Sequence, residues 1–518
     1  MTWPGTVDER RAGYATAEAT ADLAARHALD RDATAYSLLG TTGLTVSRLG
    51  FGSYRVDDES PGHREALDRA LTFGVNLVDT STNYGDGGSE RLIGSVLADL
   101  TGRGRLRRDE VVVVTKVGYV QGRNLALAQE REAAGRAFPE MVKVGPGIWH
   151  CVHPEFIADQ LTRSRERLGL ATLDVALLHN PEYFLGAAAR QSEGSRDERR
   201  QEFYRRLAAA FQALEGEVEA GRLRWYGVSS NTLAAGSEEP QATSLTRMLE
   251  IAGPRFRVLQ LPLNLVESAG VVRSKDGSDG RSTVLGWAAS QGLGVLVNRP
   301  LNAILPSGLL RLADPPGLDG LPPRDLERLL RDLAALEAEY RAEIAPTVRA
   351  RPGSTPPAEF FLWIAELGPL AAQAGSLADW DPLESQLVGL AGRAVRALDG
   401  GLGTDARWQS WRDRYLKALG PALGEIRRQA GERSVAESRR VAAAIDPVLP
   451  EARRGEPLSR KVLWTLASTP GVSSVLVGMR RLGYVDDALG VLAWPPLADA
   501  ASVYRAVESA GLTLPASP

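Results

Sequence analysis

The 518-residue chain is poor in the residue types that most often announce a function. It has one cysteine, five histidines and four methionines, and its 61 basic and 64 acidic residues leave a formal charge of only −3. A single thiol, Cys151, forms neither an internal disulfide nor a cysteine-based zinc site, which excludes a disulfide framework. The histidines (His27, His63, His150, His153 and His179) leave little for multi-histidine metal chemistry, and no metal site is expected. The small net charge offers no general attraction for nucleic acid or for an anionic membrane. Long apolar runs are missing too. The two longest uncharged stretches lie between Arg281 and Arg299 and between Lys461 and Arg480. Both contain Ser, Thr and Gly, and each reads as a helix end followed by a buried strand, not a membrane span. The first thirty residues mix acids and bases without an apolar core, so a cytoplasmic protein is expected.

What the chain does have is 53 glycines and 30 prolines among many Ala, Leu, Arg and Glu, the mark of a helical chain with heavy punctuation. Residues 38–46, around Thr42-Gly43, read as a hairpin. Eight short β-branched runs follow, at 49–56, 75–80, 111–116, 173–178, 225–229, 256–261, 294–298 and 472–477, each separated from the next by helical patterning. Ser89 reads as the N-cap of one helix, and Pro154 as the first residue of another that closes at Gly169. Strands alternating with helices predict right-handed βαβ units and a parallel sheet, and eight of them predict a (β/α)8 TIM barrel.

Residues 303–455 interrupt the seventh βα connection with helical patterns at 325–343, 359–374, 383–398, 406–419 and 423–444. Leu326, Leu329, Leu330, Leu333 and Leu336 recur at helical steps in the first of them. The expected organisation is an N-terminal extension (1–35), a barrel segment carrying strands 1–7 (36–302), an all-helical insertion at the C-terminal rim (303–455), a barrel completion (456–500) and a tail (501–518). Arginines of the insertion alternate with Glu and Ala, a solvated face and not a nucleic-acid patch.

In such a barrel, polar residues at the C-terminal strand ends are candidates for function. The ends supply Asp79 with Tyr84 in the loop beyond it, Lys116, His179 with Asn180, Ser229 with Ser230, and Gln260. Burying Asp, Lys and His together is costly unless they compensate one another. A tyrosine is a poor acid–base group near neutrality. A neighbouring lysine cation favours tyrosinate, an aspartate keeps that lysine charged and fixed, and a histidine donates a hydrogen bond to a carbonyl oxygen. Together they would protonate an oxygen while a hydride arrives at carbon.

The segments D-T-S-T-N-Y-G-D-G-G-S-E-R-L-I-G (79–94), V-V-V-V-T-K (111–116), L-D-V-A-L-L-H-N-P (173–181), G-R-L-R-W-Y-G-V-S-S-N (221–231) and V-L-Q-L-P-L-N (258–264) resemble the aldo-keto reductases. L-G-F-G-S-Y (49–54) and S-S-V-L-V-G-M (473–479) fit the same pattern, and the resemblance runs in order through 36–302 and 456–500. It implies an NAD(P)-dependent oxidoreductase interconverting a carbonyl (aldehyde, ketone or sugar) and an alcohol. Tyr84 would be the general acid/base, Lys116 and Asp79 its tuners, and His179 the residue that orients the carbonyl. Ser229, Ser230 and Gln260 match positions around the nicotinamide carboxamide. Asn298 and Arg299 follow strand 7 beside the cofactor. Gly478, Met479, Arg480 and Arg481 match the loop gripping the adenosine end, and Asp487 an acidic residue near adenine. Tyr54, Asn180 and Trp149 are the expected substrate residues.

The chain departs from the family pattern in places. Ser230 stands where many members have asparagine, Asn298 where many have a nicotinamide-stacking aromatic, and Asn180 where a tryptophan is frequent. Tyr484 falls where NADP-preferring members often carry an arginine for the 2′-phosphate, which leans the cofactor toward NAD, while Arg480 and Arg481 keep NADP open. The loop 117–151 is long and reads as a substrate wall containing Trp149 and His150. A small-molecule carbonyl or sugar is the expected partner. The alternative function is a nicotinamide-nucleotide-binding regulatory module that docks a protein through the insertion.

Overall fold

The computed structural model describes residues 11–28, 33–192, 194–272, 282–305, 308–315, 322–348 and 360–513. Residues 1–10 and 514–518 of the expected extension and tail lie outside the described residues, as does Glu359, where one helical pattern was expected to begin.

Eight parallel strands close on themselves: β1 (Leu49–Gly52), β2 (Leu77–Asp79), β3 (Val112–Val117), β4 (Leu173–His179), β5 (Leu223–Ser229), β6 (Phe256–Pro262), β7 (Gly294–Asn298) and β8 (Ser474–Val477). Closure comes from β8, which pairs with β7 (Leu296 opposite Ser474) and with β1 (Val475 opposite Leu49). The strands are buried nearly throughout, as expected for a parallel sheet covered by helices. The hairpin, Tyr36–Leu38 paired antiparallel with Thr45–Ser47, precedes them.

The barrel interior explains where chemistry can sit. Leu77, Val112, Val114, Val175, Leu177, Val258, Leu296 and Leu476 form one buried cluster, with Leu39, Leu44 and Val46 of the hairpin packed into the same cluster. Side chains repeat with period two along a strand. The positions that continue these inward columns toward the C-terminal ends are Asp79, Lys116, His179, Gln260 and Asn298. The lower barrel is a packed apolar core and its upper layer is polar. Outward-facing Thr115, between Val114 and Lys116, instead donates to Glu90 Oε1 at 2.6 Å, and Arg167 donates to the other oxygen of that carboxylate at 2.6 Å. β5 carries a register shift between Tyr226 and Gly227. Only glycine fits there, since a Cβ at 227 would lie 1.6 Å from the Val258 carbonyl oxygen.

The helices follow their local signals with two exceptions. Pro154–Leu168 starts on an N-cap His153 and ends at left-handed Gly169. Ser89 is not an N-cap: the helix runs from Gly88 to Gly102, and the Ser89 hydroxyl bonds Ser53 Oγ at 2.6 Å and Thr80 Oγ1 at 2.9 Å. The second exception lies in the insertion.

The chain divides into two compact units, Met1–Pro300 with Arg460–Pro518, and Leu301–Ser459. The second unit opens with a short antiparallel ladder, Asn302–Leu305 against Gly308–Arg311, so the insertion is not all-helical as expected; its other elements among the described residues are helices. Its core is aromatic: Trp380, Trp408, Trp411, Tyr415, Tyr340 and Phe361 are fully buried. The separate helices expected at 406–419 and 423–444 are one helix of 40 residues, Ala406–Ile445, passing through Pro421. Proline deletes one intrahelical bond at about 3 kcal/mol. Burial of Leu419, Ala422, Leu423 and Ile426 on either side of it holds the helix together.

Candidate active site

At the C-terminal end of the barrel, Lys116 is completely buried. Its ammonium spends all three protons: on Asp79 Oδ2 at 2.7 Å, on the Thr80 carbonyl oxygen at 2.8 Å and on the Tyr84 hydroxyl oxygen at 3.1 Å. Because Tyr84 accepts from Lys116, its own proton points elsewhere. Tyr84 stands on the turn Tyr84–Gly87 just beyond β2, where Gly85 and Asp86 both take positive φ. Its ring meets His179 edge-on at 6.0 Å and Tyr54 edge-on at 5.3 Å. Tyr54 is 67% exposed and stands at the mouth.

The other oxygen of Asp79 accepts from Gln260 Nε2 at 2.8 Å. Gln260 Oε1 in turn accepts from Ser229 Oγ and from Asn298 Nδ2, each at 3.1 Å. Strand ends β2, β3, β5, β6 and β7 are therefore joined through one continuous polar chain. Ser230 is buried beside it, accepting from the Thr232 backbone N–H at 3.2 Å.

Burial shifts these groups. It pushes Lys116 below the ordinary lysine value and Asp79 above the usual carboxylate range, each opposed by the charge of the other. Tyr84 was expected to have its pKa depressed by Lys116. It is instead held well above the usual phenol value, first by burial and then by the Asp79 and Tyr54 charges. The resting group is thus a phenol that has its proton to give. Burial, with Lys116 and His150 adding to it, drives His179 well below the ordinary imidazole value, so the ring is neutral.

Several contacts around His179 were not read from the sequence. The Ser81 hydroxyl lies 3.1 Å from His179 Nδ1 and 2.6 Å from Asn83 Oδ1, and Asn83 Nδ2 donates to Gln121 Oε1 at 2.9 Å. His150 Nε2 donates to the His179 backbone carbonyl at 2.7 Å, and burial holds His150 down to about 4, so it too is neutral. A Cβ at Gly118 would lie 2.7 Å from both partners of that bond, so glycine is what lets them meet. The signal for Ser81 was its place two residues after Asp79 on the same strand end. The sequence places His150 on the substrate wall, but its bond to the His179 carbonyl joins separate elements and has no local signal.

The connection 117–151 is folded rather than a bare wall: Tyr119–Val120, Val142–Gly145 and Ile148–His150 make a small antiparallel sheet with the helix Gly122–Ala133. His150 faces the site. Its neighbour Trp149 faces the other way, buried beneath the Lys143 ammonium at 4.6 Å, and is not brought to the tetrad. Asn180 takes positive φ and spends its amide on the Tyr119 hydroxyl at 2.8 Å. Arg299, also at positive φ, pairs with Glu267 at 3.0 Å. Past β8, Gly478 is exposed, Met479 buried and Arg481 exposed at the N-terminus of the helix Leu482–Leu492, which has no side-chain cap. Asp487 pairs with Arg460 at 2.9 Å. Burial raises the Cys151 thiol to about 12, so it is no nucleophile. Among the described residues there is no metal-holding cluster, and no helix is long and apolar enough to cross a membrane.

Residues 48–274 match the model of the aldo/keto reductase family. Over 151 residues the chain is 31% identical to an NADH-specific methylglyoxal reductase of Escherichia coli K12, covering 27% of this chain and 40% of that protein. Over 231 residues it is 29% identical to a D-threo-aldose 1-dehydrogenase of a Pseudomonas species, covering 42% of this chain and 60% of that protein. The chain thus matches less than two thirds of the length of either relative. Among solved structures, a glycerol dehydrogenase from Gluconobacter oxydans aligns over 94% of this chain and 98% of its own, with 16% identity and a TM-score of 0.46.

Proposed function

We propose that this chain, whose residues 48–274 match the aldo/keto reductase family model, interconverts a small carbonyl compound, an aldehyde or a sugar, with the corresponding alcohol, using NAD or NADP. The observation that carries this reading is the hydrogen bond from buried Lys116 to the Tyr84 hydroxyl, 3.1 Å long, with Asp79 behind the lysine and His179 beside the tyrosine.

The donor set fits a nicotinamide nucleotide. Ser229, Ser230 and Gln260 form a polar floor beside the tetrad. At the other end, the uncapped N-terminus of Leu482–Leu492, with Arg480 and Arg481, offers backbone N–H groups and cations suited to phosphate. When bound, the nicotinamide supplies or takes up the hydride at the carbonyl carbon. The residues handle the oxygen. His179, neutral and with Nδ1 against Ser81, stands edge-on to Tyr84 and walls the place of the substrate oxygen. Tyr84 gives that oxygen its proton, and the Lys116 ammonium stabilises the phenolate that remains. Lys116 can do so because Asp79 holds it, and Gln260 holds Asp79. Tyr54, exposed and edge-on to Tyr84, gives the mouth an aromatic wall for the substrate.

The test is the purified full chain with NADH and NADPH against a panel of short aldehydes and aldoses, followed by nicotinamide absorbance. Consumption of one nucleotide with at least one carbonyl is expected. Failure of both nucleotides with the whole panel, and of their oxidised forms with the alcohols, overturns the proposal.

A further inference from the structure

Asn298 ends β7 at a position where relatives often place a ring that stacks on the nicotinamide, and an asparagine side chain has no face to stack. The hydrogen bonds around it fix what it presents instead. Asp79 is a carboxylate and can only accept, so the Gln260 atom 2.8 Å from it must be the amide nitrogen. Gln260 therefore turns Oε1 toward Ser229 and Asn298, and an amide oxygen also only accepts. Hence Ser229 donates its single proton there, and Asn298 must direct Nδ2 there, each at 3.1 Å. No amide in this chain can be turned over without setting two acceptors against each other.

The consequence falls on the far side of Asn298. Its Oδ1 is buried, and it has no hydrogen-bond partner among the described residues. A buried acceptor left unpaired is costly, and such atoms mark the place of an absent donor. Beside it, Ser229 Oγ has given away its proton and keeps its lone pairs. Both atoms therefore have only lone pairs to offer, and both belong to residues bonded to one oxygen. A group with two N–H donors on one nitrogen satisfies them together.

We propose that Asn298 Oδ1 is the acceptor for the amide NH2 of the nicotinamide carboxamide, with Ser229 Oγ beside it. This rests on reading the barrel mouth as a nicotinamide site. Asn298 thus replaces stacking on the ring by recognition of the ring's substituent, and the cofactor is selected for its primary amide.

The test compares binding of the oxidised nucleotide with that of its 3-acetylpyridine analogue, which keeps the carbonyl and replaces NH2 by methyl. Protein-fluorescence titration of the full chain uses whichever of NAD and NADP binds more tightly. The wild type is expected to prefer the carboxamide nucleotide by about tenfold or more. In Asn298→Ala and in the near-isosteric Asn298→Leu, with folding checked by circular dichroism, that preference falls by about tenfold because the natural nucleotide weakens selectively. A wild type without the preference overturns the inference, as does equal weakening of both nucleotides in the two variants, partial or complete. Absence of binding of any nicotinamide nucleotide to the wild type overturns the reading of the site along with it. Binding with an unaltered ratio in the variants overturns only the role of Asn298.

Discussion

Replacing Lys116 by Met keeps the length and apolar stem of the side chain and removes the ammonium. Three acceptors lose their donor: Asp79 Oδ2, the Thr80 carbonyl and the Tyr84 hydroxyl. Asp79 is only 4% exposed and keeps one bond, from Gln260 Nε2. Removing one partner of a buried ion pair costs about 3–5 kcal/mol. For a unit of this size that is a fall in Tm on the order of 5–10 °C. Turnover should fall by roughly 10²–10⁴-fold, the usual worth of positioned acid–base catalysis. The two effects separate in Lys116→Met/Asp79→Asn. With no charge left buried, most of the lost stability should return, while turnover stays down because nothing stabilises the Tyr84 phenolate. Thermal melts and steady-state rates on the two variants measure both. Retention of activity within tenfold in Lys116→Met would refute the role given to the ammonium. A double variant no more stable than the single one would refute the account of the buried pair.

Two further outcomes follow from groups outside the tetrad. Glu182, buried, accepts from the Asn231 backbone N–H at 2.8 Å, and burial raises its carboxyl from 4.5 to about 7. The native state therefore holds this proton more tightly than the unfolded chain, so stability falls as pH rises from about 4.5 to 7 and is level above. The full penalty is on the order of 3 kcal/mol. Glu182→Gln keeps the acceptor and removes the charge, so it should exceed the wild type in urea stability at pH 8 and match it near pH 4.5; an equal difference at both values contradicts the assignment. Ser81→Ala frees His179 Nδ1, and kcat should drop about 5–10-fold with nucleotide affinity unchanged. An affinity loss matching the kcat loss would show a general collapse of the site instead.

The barrel was legible because its two periodicities are local: β-branched runs ending in punctuation, and helices between them. Strand order then placed Asp79, Lys116, His179 and Gln260 at one end before any contact was known. What escaped was whatever depends on packing across elements. Pro421 looks like a break until the buried residues flanking it are seen to hold one helix together. Ser89 has the chemistry of a cap, yet the helix starts one residue earlier and its hydroxyl is taken up by Ser53 and Thr80. The direction of the Tyr84 shift also misled, because charge pairing with Lys116 was weighed without the depth of burial. His150 and Gly118 are legible only together, through a bond to the His179 carbonyl that neither residue announces alone.

The central claim is that Tyr84 gives the substrate oxygen its proton. Tyr84→Phe removes one oxygen atom and leaves the ring against His179 and Tyr54, so two readouts on that variant test it most directly. The nicotinamide nucleotide should bind within a few-fold of the wild type, while carbonyl turnover falls by at least about 10²-fold. Turnover preserved alongside intact binding would contradict the account.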